Sequence, residues 1–423
     1  MKSIRVCVAA LAALSLVGCS GGESSSGASG AFGVVTVDGK QKLYLPLIDA
    51  NEAGHGQIAV VDVGQPGKGV TGVNGLITFI DLGTSDYATA TGGDPTVIVA
   101  VSTDFPTIWL IDPTTDKVTK KLSLPEGAGQ SSFSGGGGYV TGVAMDSANH
   151  QAILSVWNGF ALLDTDAGTI TKTIHAPPSE NFGFDSVHQR IIAPFYDCSG
   201  AYDANGSPDF CDQFTAADGS TMTDGLNVID LADGTVYTYQ DPNAEDPTQP
   251  VGSEPDSAAA DPNNQLVVVP SEGGGFQNVI DLSQATFDAS TKSFTAPNKR
   301  VDDQYFTGAA IEGSRHLAFM EEESSGTVGV FNVEDAAAGH ASPVQGEIPA
   351  LPDSNSWGNM GDPHGVAVST GLSDGASVGF VVNYDRTWVA RVDLSAFAAL
   401  QADPELGGVA DMSSAVTFIA ARQ

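Results

Sequence analysis

Short apolar runs that end in an acidic or amide residue recur along the whole chain. They read VVD at Val60–Asp62, LID at Leu110–Asp112, LLD at Leu162–Asp164 and VID at Val228–Asp230. The pattern returns as VID at Val279–Asp281, VFN at Val330–Asn332 and RVD at Arg391–Asp393. Their last residues are 50, 52, 66, 51, 51 and 61 positions apart. Around each phrase the pattern is strand-like: continuous apolar runs of four to seven residues, then segments of alternate polar and apolar character. Thr169–Ile174 and Thr235–Tyr239 are examples of the latter. A repeat near 50 residues built only from strands predicts a ring or array of small sheets.

The units are predicted at 31–92, 93–127, 138–177, 180–250, 252–298, 305–352 and 361–420. Seven units predict an all-β, seven-blade β-propeller. Asp81 also ends an apolar run, only 19 residues after Asp62. It is assigned to an outer strand of the first unit; as a unit of its own it would make eight. The terminal strand Ala415–Ala420 is expected to pair near Phe32–Val37 and close the ring, which removes open sheet edges. Alanine-rich runs near Ala336–Ala338 and Ala396–Ala399 have room for single helical turns at most. The recurring aspartate is explained by local chemistry. A carboxylate at a strand end accepts hydrogen bonds from nearby backbone N–H groups and fixes the turn.

Composition agrees with this picture. The 423 residues are 41% hydrophobic, with 50 Gly and 22 Pro for turns. Each repeat buries its faces against its neighbours, so this length fits a single domain. The residues that carry a family resemblance are DPTVIVAVS at Asp94–Ser102, DPHGVAVS at Asp362–Ser369 and LLDTDAGTI at Leu162–Ile170. With them the chain resembles the YVTN-type and related NHL and WD40-like propellers of exported bacterial proteins. No unit has the Trp-Asp ending of WD40 repeats. The resemblance therefore implies a fold and leaves function open.

The N-terminus reads as a targeting segment. Lys2 and Arg5 precede an apolar stretch, Val6–Val17, too short to span a bilayer. It ends in Leu16-Val17-Gly18-Cys19, which resembles the bacterial lipobox. That resemblance implies a lipoprotein signal peptide at 1–18, cleaved before an acylated, palmitate-bearing Cys19. With Ser20 next, it also implies delivery to the outer membrane. The alternative is an ordinary secretory signal with an incidental cysteine. Residues 19–30, rich in Gly and Ser, are expected to be a flexible tether. Residues 31–423 are expected to form the propeller domain. More than one acyl chain gives stable anchoring.

Charge excludes one class of partner. With 17 Lys and Arg against 51 Asp and Glu, net charge is −34. Loss of Lys2 and Arg5 makes the mature chain still more acidic. Such a surface repels nucleic acid. It suits a salty habitat or the attraction of cations. Of the four cysteines, Cys198 and Cys211 remain to form a disulfide in an exported protein. It would close a loop of about 13 residues and contribute about 2–3 kcal/mol.

That disulfide staples an insertion at 196–214. Within it Asp203, Asn205, Ser207 and Asp209 alternate as oxygen ligands do in calcium loops. The loop is not an EF-hand, because Gly206 and Phe214 stand in the wrong places; an acidic exposed loop is the alternative. A second candidate is the axial mouth. If the unit starts converge, Asp94, Tyr139, Asn181, Glu254, Asp256 and His364 surround the channel. In gluconolactonase-type propellers, which the chain also resembles, carboxylate and Asn side chains there ligate a divalent cation. Polar residues at a wet channel mouth are the plain alternative. The run Glu321-Glu322-Glu323 is expected to be a solvated turn.

Other motifs fail on context. Gly371–Gly375 matches G-x-S-x-G without a following helix, and Gly67–Gly72 matches G-x-G-x-x-G before a strand. The seven histidines show no ligand spacing. The leading expectation is a lipid-anchored, non-catalytic binding module of the cell envelope, with a protein, glycan or cation such as calcium as partner. The second is a metal-assisted lactonase at the axial mouth, with Glu254 or Asp256 as base. A quinone-dependent dehydrogenase has no supporting residues.

Overall fold

The two middle strands of each unit are apolar along their whole length, because both of their faces are covered. Gln57–Asp62 (QIAVVD), Leu266–Ser271 (LVVVPS) and Gly159–Asp164 (GFALLD) are buried except at their ends. Outer strands such as Lys117–Ser123 (KVTKKLS) and Thr169–His175 (TITKTIH) alternate, since one face meets water. The computed structural model describes residues 32–47, 51–64, 73–125, 140–156, 159–177, 179, 181–195, 216, 218–302, 306–322, 327–340, 344–348, 363–369, 377–383, 388–397 and 408–421.

Seven antiparallel sheets follow in chain order, with strands a to d running from the axis outward. Blade 1 holds Gly33–Val37, Lys40–Leu47, Gln57–Asp62 and Leu76–Asp81. Blade 2 holds Ala90–Gly93, Ile98–Val101, Thr107–Asp112 and Lys117–Ser123; blade 3 holds Val140–Asp146, Gln151–Val156, Gly159–Asp164 and Thr169–His175. Blade 4 is built on Gly183–Asp185, Arg190–Phe195, Gly225–Asp230 and Val236–Tyr239, and blade 5 on Ala259–Asp261, Leu266–Ser271, Phe276–Asp281 and Asn298–Asp302. Blade 6 uses Gly308–Glu312, Leu317–Glu322, Thr327–Asn332 and Val344–Glu347; blade 7 uses Pro363–Ser369, Val378–Asn383, Trp388–Asp393 and Val416–Ala420. The count of seven is as expected, and Asp81 ends the outer strand of blade 1. The alanine-rich runs contribute two short helices, Val333–Ala337 and Leu394–Phe397.

The core lies between blades. Seven apolar clusters occupy the seven junctions, one each. Tyr44, Ile58 and Val60 meet Trp109 and Ile111 between blades 1 and 2. Leu43, Val61 and Phe32 meet Phe380 and Ile419 between blades 1 and 7, and this last cluster closes the ring.

Two expectations need correction. The terminal strand does not pair near Phe32–Val37. Val416–Ala420 pairs with Trp388–Asp393 in its own blade and, in parallel, with Val73–Asn74. Gly33–Val37 is the innermost strand of blade 1, out of reach of an outermost strand. The second unit does not begin at residue 93. Its inner strand is Ala90–Gly93, and Asp94 lies in the turn that follows.

The link from c to d takes two forms. In blades 2 to 4 it is a short turn. In blades 5, 7 and 1 it is an excursion whose strand joins the outer edge of the preceding blade. Ser293–Thr295 adds in parallel to Val236–Tyr239, Ala410–Asp411 to Val344–Glu347, and Val73–Asn74 to Val416–Ala420.

Candidate functional site

The ring has two faces. One carries the a–b and c–d turns, the other the b–c turns and the links between blades. All seven recurring Asx residues lie on the first face, at the ends of the c strands, and all seven cap the turn that follows. Asp62 accepts from the Gly64 N–H at 3.1 Å, Asp112 from Thr114 at 2.8 Å and Asp164 from Ala167 at 2.8 Å. Asp230 accepts from Ala232 at 2.9 Å and Asp281 from Ser283 at 2.9 Å. Asn332 accepts from Glu334 and Asp335 at 2.9 and 3.1 Å, and Asp393 from Ser395 and Ala396 at the same two distances. The Thr114 N–H and the Thr115 hydroxyl hold the Asp112 carboxyl below the usual carboxylate range.

A second set of acids ends the a strands on the same face. Asp94 accepts from the Thr96 and Val97 N–H groups at 2.7 and 3.1 Å, Asp185 from Val187 and His188, and Asp261 from Asn263. Glu312 accepts from Ser314 and Arg315. The five-residue turns that start at Asp146, Asp185, Asp261 and Glu312 (DSANH, DSVHQ, DPNNQ and EGSRH) close with a left-handed residue: His150, Gln189, Gln265 and His316. Between blades 5 and 6 they touch. His316 Nδ1 lies 2.5 Å from the buried Asp261 carboxylate, and Asn264 Nδ2 lies 2.8 Å from Glu334.

The opposite face holds the mouth formed by the starts of the inner strands, and hydrogen bonds pass from blade to blade around it. The Gly33 N–H donates to the Thr91 hydroxyl at 2.8 Å. The Thr141 hydroxyl donates to the Ser179 carbonyl at 3.0 Å, and the Asn181 N–H to the Asp256 carbonyl at 3.3 Å. The Ser257 hydroxyl donates to the Thr307 carbonyl at 2.7 Å. The Glu321 carboxylate accepts from the Thr307 hydroxyl and from the Gly365 N–H of blade 7, each at 3.4 Å.

Glu321 is the residue the sequence reading missed. Glu321 and Glu322 belong to a strand and not to a solvated turn. They are 2% and 9% exposed. Gly308 lies opposite Glu321 in register, and a Cβ there would come within 2.6 Å of its carboxylate. The signal available in the sequence was the glycine that opens an otherwise apolar strand. Gly365, at φ 105°, likewise needs to be glycine.

The predicted mouth residues therefore separate. Asp94 caps a turn on the other face, because it ends an inner strand where the others begin one. Asn181 and Asp256 are brought together through backbone. Glu254 is exposed, at φ 50°, beside Glu272. Tyr139 and the His364 side chain lie outside the described residues, as do Cys19, Cys198, Cys211, Asp203, Asn205, Ser207 and Asp209. Among the described residues no group of three or more His, Cys, Asp or Glu side chains is placed to hold a metal ion. A cleft of about 410 Å³ lies at the outer rim between blades 4 and 5, bordered by Asp241, Asn243, Gln284, Asn298 and Lys299.

Comparison with known proteins agrees on the fold. The chain is similar to hydrazine synthase of Kuenenia stuttgartiensis, with a TM-score of 0.52, 12% identity, and 86% of this chain and 96% of that one covered. It is also similar to a functionally unknown protein from Desulfotomaculum acetoxidans, with a TM-score of 0.50, 12% identity, and 83% and 92% covered. No family model and no curated protein matches the chain. Fold and neighbours together define a seven-blade β-propeller.

Proposed function

We propose that the protein is a non-catalytic binding module of the cell envelope. In this reading residues 1–18 are removed, Cys19 carries the lipid, and residues 19–30 tether the ring to the outer membrane. Cys198–Cys211 staples the 196–214 insertion, and the repeats are of the YVTN and NHL type. One observation carries the binding reading: the recurring acids are committed to architecture. Seven Asx residues hold their own turns, and the buried Glu321 joins blades 6 and 7. What the ring offers a partner is then surface, held rigidly by seven interlocked junctions.

The test uses the full chain without its signal peptide. A panel of lactones with and without calcium is expected to show no turnover, and chelator is expected to leave the melting temperature unchanged. Calcium-dependent hydrolysis that disappears in Asp256→Asn or Glu254→Gln would replace this reading with the lactonase one. Anchoring is checked separately. Incorporation of labelled palmitate in a bacterial host is expected to be lost in Cys19→Ala.

A further inference from the structure

The outer edges of the seven sheets are managed differently, and one stands apart. Blades 4, 6 and 7 have an added parallel strand on that edge. Among the described residues blades 2, 3 and 5 leave it open but place cations on it: Lys117, Lys120 and Lys121; Lys172; Lys299 and Arg300. Charged edges resist pairing with another chain. Among the described residues blade 1 has neither device. Blade 2 cannot lend it a strand, because its c–d link is only the turn Pro113–Asp116. The outer strand of blade 1, Leu76–Asp81 (LITFID), contains no Lys or Arg.

Register makes the contrast position by position. Blades 1, 2 and 3 each carry a bulge at the same place between c and d. Aligned on it, Ile77 corresponds to Thr119 and Thr171, Thr78 to Lys120 and Lys172, and Phe79 to Lys121 and Thr173. The Thr119 and Thr171 hydroxyls donate to the c-strand carbonyls of Leu110 and Leu162. Nothing in this geometry calls for Ile or Phe in blade 1. Yet Ile77 is 40% and Phe79 44% exposed, two of the three large apolar side chains exposed among the described residues.

We infer that Leu76–Asp81 is a docking edge for an extended, cationic peptide segment of a partner protein. The fold itself demonstrates the mode, since three of its edges already take a short parallel strand. Alternate apolar side chains of the segment would lie on Ile77 and Phe79, while the outward N–H and C=O groups of the edge pair with its backbone. Complementarity sets the charge. Asp81 ends the strand half exposed, with His55 Nδ1 2.9 Å from its carboxylate, and the chain as a whole carries −34. That charge disfavours a second copy of the chain as occupant. The inference rests on the binding-module reading. Catalysis at the mouth would remove that reading and leave this edge as it is.

The probe is a fluorescein-labelled nonapeptide of alternating valine and threonine flanked by lysines, followed by anisotropy. Saturable binding is expected, together with slowed amide exchange at 76–81. The double variant Ile77→Thr/Phe79→Lys installs residues that blades 2 and 3 already tolerate. It should melt like the parent and bind at least tenfold more weakly, as should a peptide with proline at its centre. Phe79→Thr is the milder variant if the double one unfolds. Unchanged binding by either variant, equal binding of a glutamate-flanked peptide, no saturable binding, or self-association through 76–81 in sedimentation would each overturn the inference.

Discussion

Blades 1 to 4 and blades 4 to 1 close the same ring by different means. Along the first arc a lysine of one blade reaches the c–d turn of the next. Lys42 meets the Pro113 carbonyl and Asp116 at 2.8–2.9 Å. Lys120 reaches the Ala167 and Gly168 carbonyls, and Lys172 the Leu231 carbonyl at 2.8 Å. Along the second arc, at three of four junctions, the c–d link is long enough to lay a strand on the preceding blade. The remaining junction, between blades 5 and 6, uses Asp261, Asn264, His316 and Glu334. In every case the c–d link of one blade grips the blade before it. Its length decides the chemistry: a short turn offers carbonyls and, in blade 2, the Asp116 carboxylate, which suit a lysine, whereas a long one offers backbone and apolar side chains.

The sharpest way to break this contrast is at the best-packed strand addition. Phe294 is fully buried and packs on Tyr239 and Phe287, with ring centroids 5.2 Å away in each case. Phe294→Ala should lower unfolding free energy by about 3–5 kcal/mol, as large aromatic truncations do. Urea denaturation measures it, and amide protection at 236–239 should fall with it. A loss under about 1 kcal/mol would mean that the added strand decorates the ring without holding it.

The lysine arc should respond less. Lys42 and Asp116 are a nearly buried pair, with side chains 9% and 13% exposed, and Asp116 also accepts from the Tyr44 hydroxyl at 2.6 Å. Burial, with that contact, pushes the Tyr44 hydroxyl far above its usual range, so it remains a donor. Asp116→Ala should cost about 2–3 kcal/mol, because Lys42 and Tyr44 lose their charged acceptor together and keep only the Pro113 carbonyl. Lys42→Met combined with Asp116→Asn should recover part of it. Next in size is Lys172→Met, which removes charge-assisted bonds to carbonyls at a half-exposed site and should cost about 1 kcal/mol by the same denaturation curve.

The sequence revealed these grips unevenly. The c strands were legible because each joins an apolar run to a capping acid, and both signals are local. The inner strand of blade 2 was not. Ala90–Gly93 reads ATGG, small residues packed near the axis, without the apolar run that marks strands b and c. Ring closure was misread for a different reason. Pairing Ala415–Ala420 with the first strand satisfies its edge in sequence terms, but only the radial position of Gly33–Val37 rules it out. Glu321 was hidden by its neighbours, since three consecutive acids look solvated until Gly308 is seen to make room for one of them. Site chemistry that depends on cross-blade contacts has no local signature.

The smallest effect belongs to the caps that both arcs share. Asp112→Ala leaves the Thr114 N–H without its acceptor and should cost about 1 kcal/mol, the usual value of such a cap. Asp112→Asn should cost far less, because Asn332 performs the same task in blade 6 with an amide. The pH dependence separates the two variants further. The Asp112 carboxyl titrates below its ordinary range in the folded state, held there by the Thr114 N–H and the Thr115 hydroxyl. Its contribution is therefore fully present above the unfolded pKa, about 4, and is lost as pH falls through the depressed folded value. The gap between parent and Asp112→Asn should be constant from pH 7 down to about 5 and shrink below about 4. A gap that instead widens on acidification would mean that the turn favours the protonated carboxyl, and neither the Thr114 N–H nor the Thr115 hydroxyl could then be what the carboxylate contributes through.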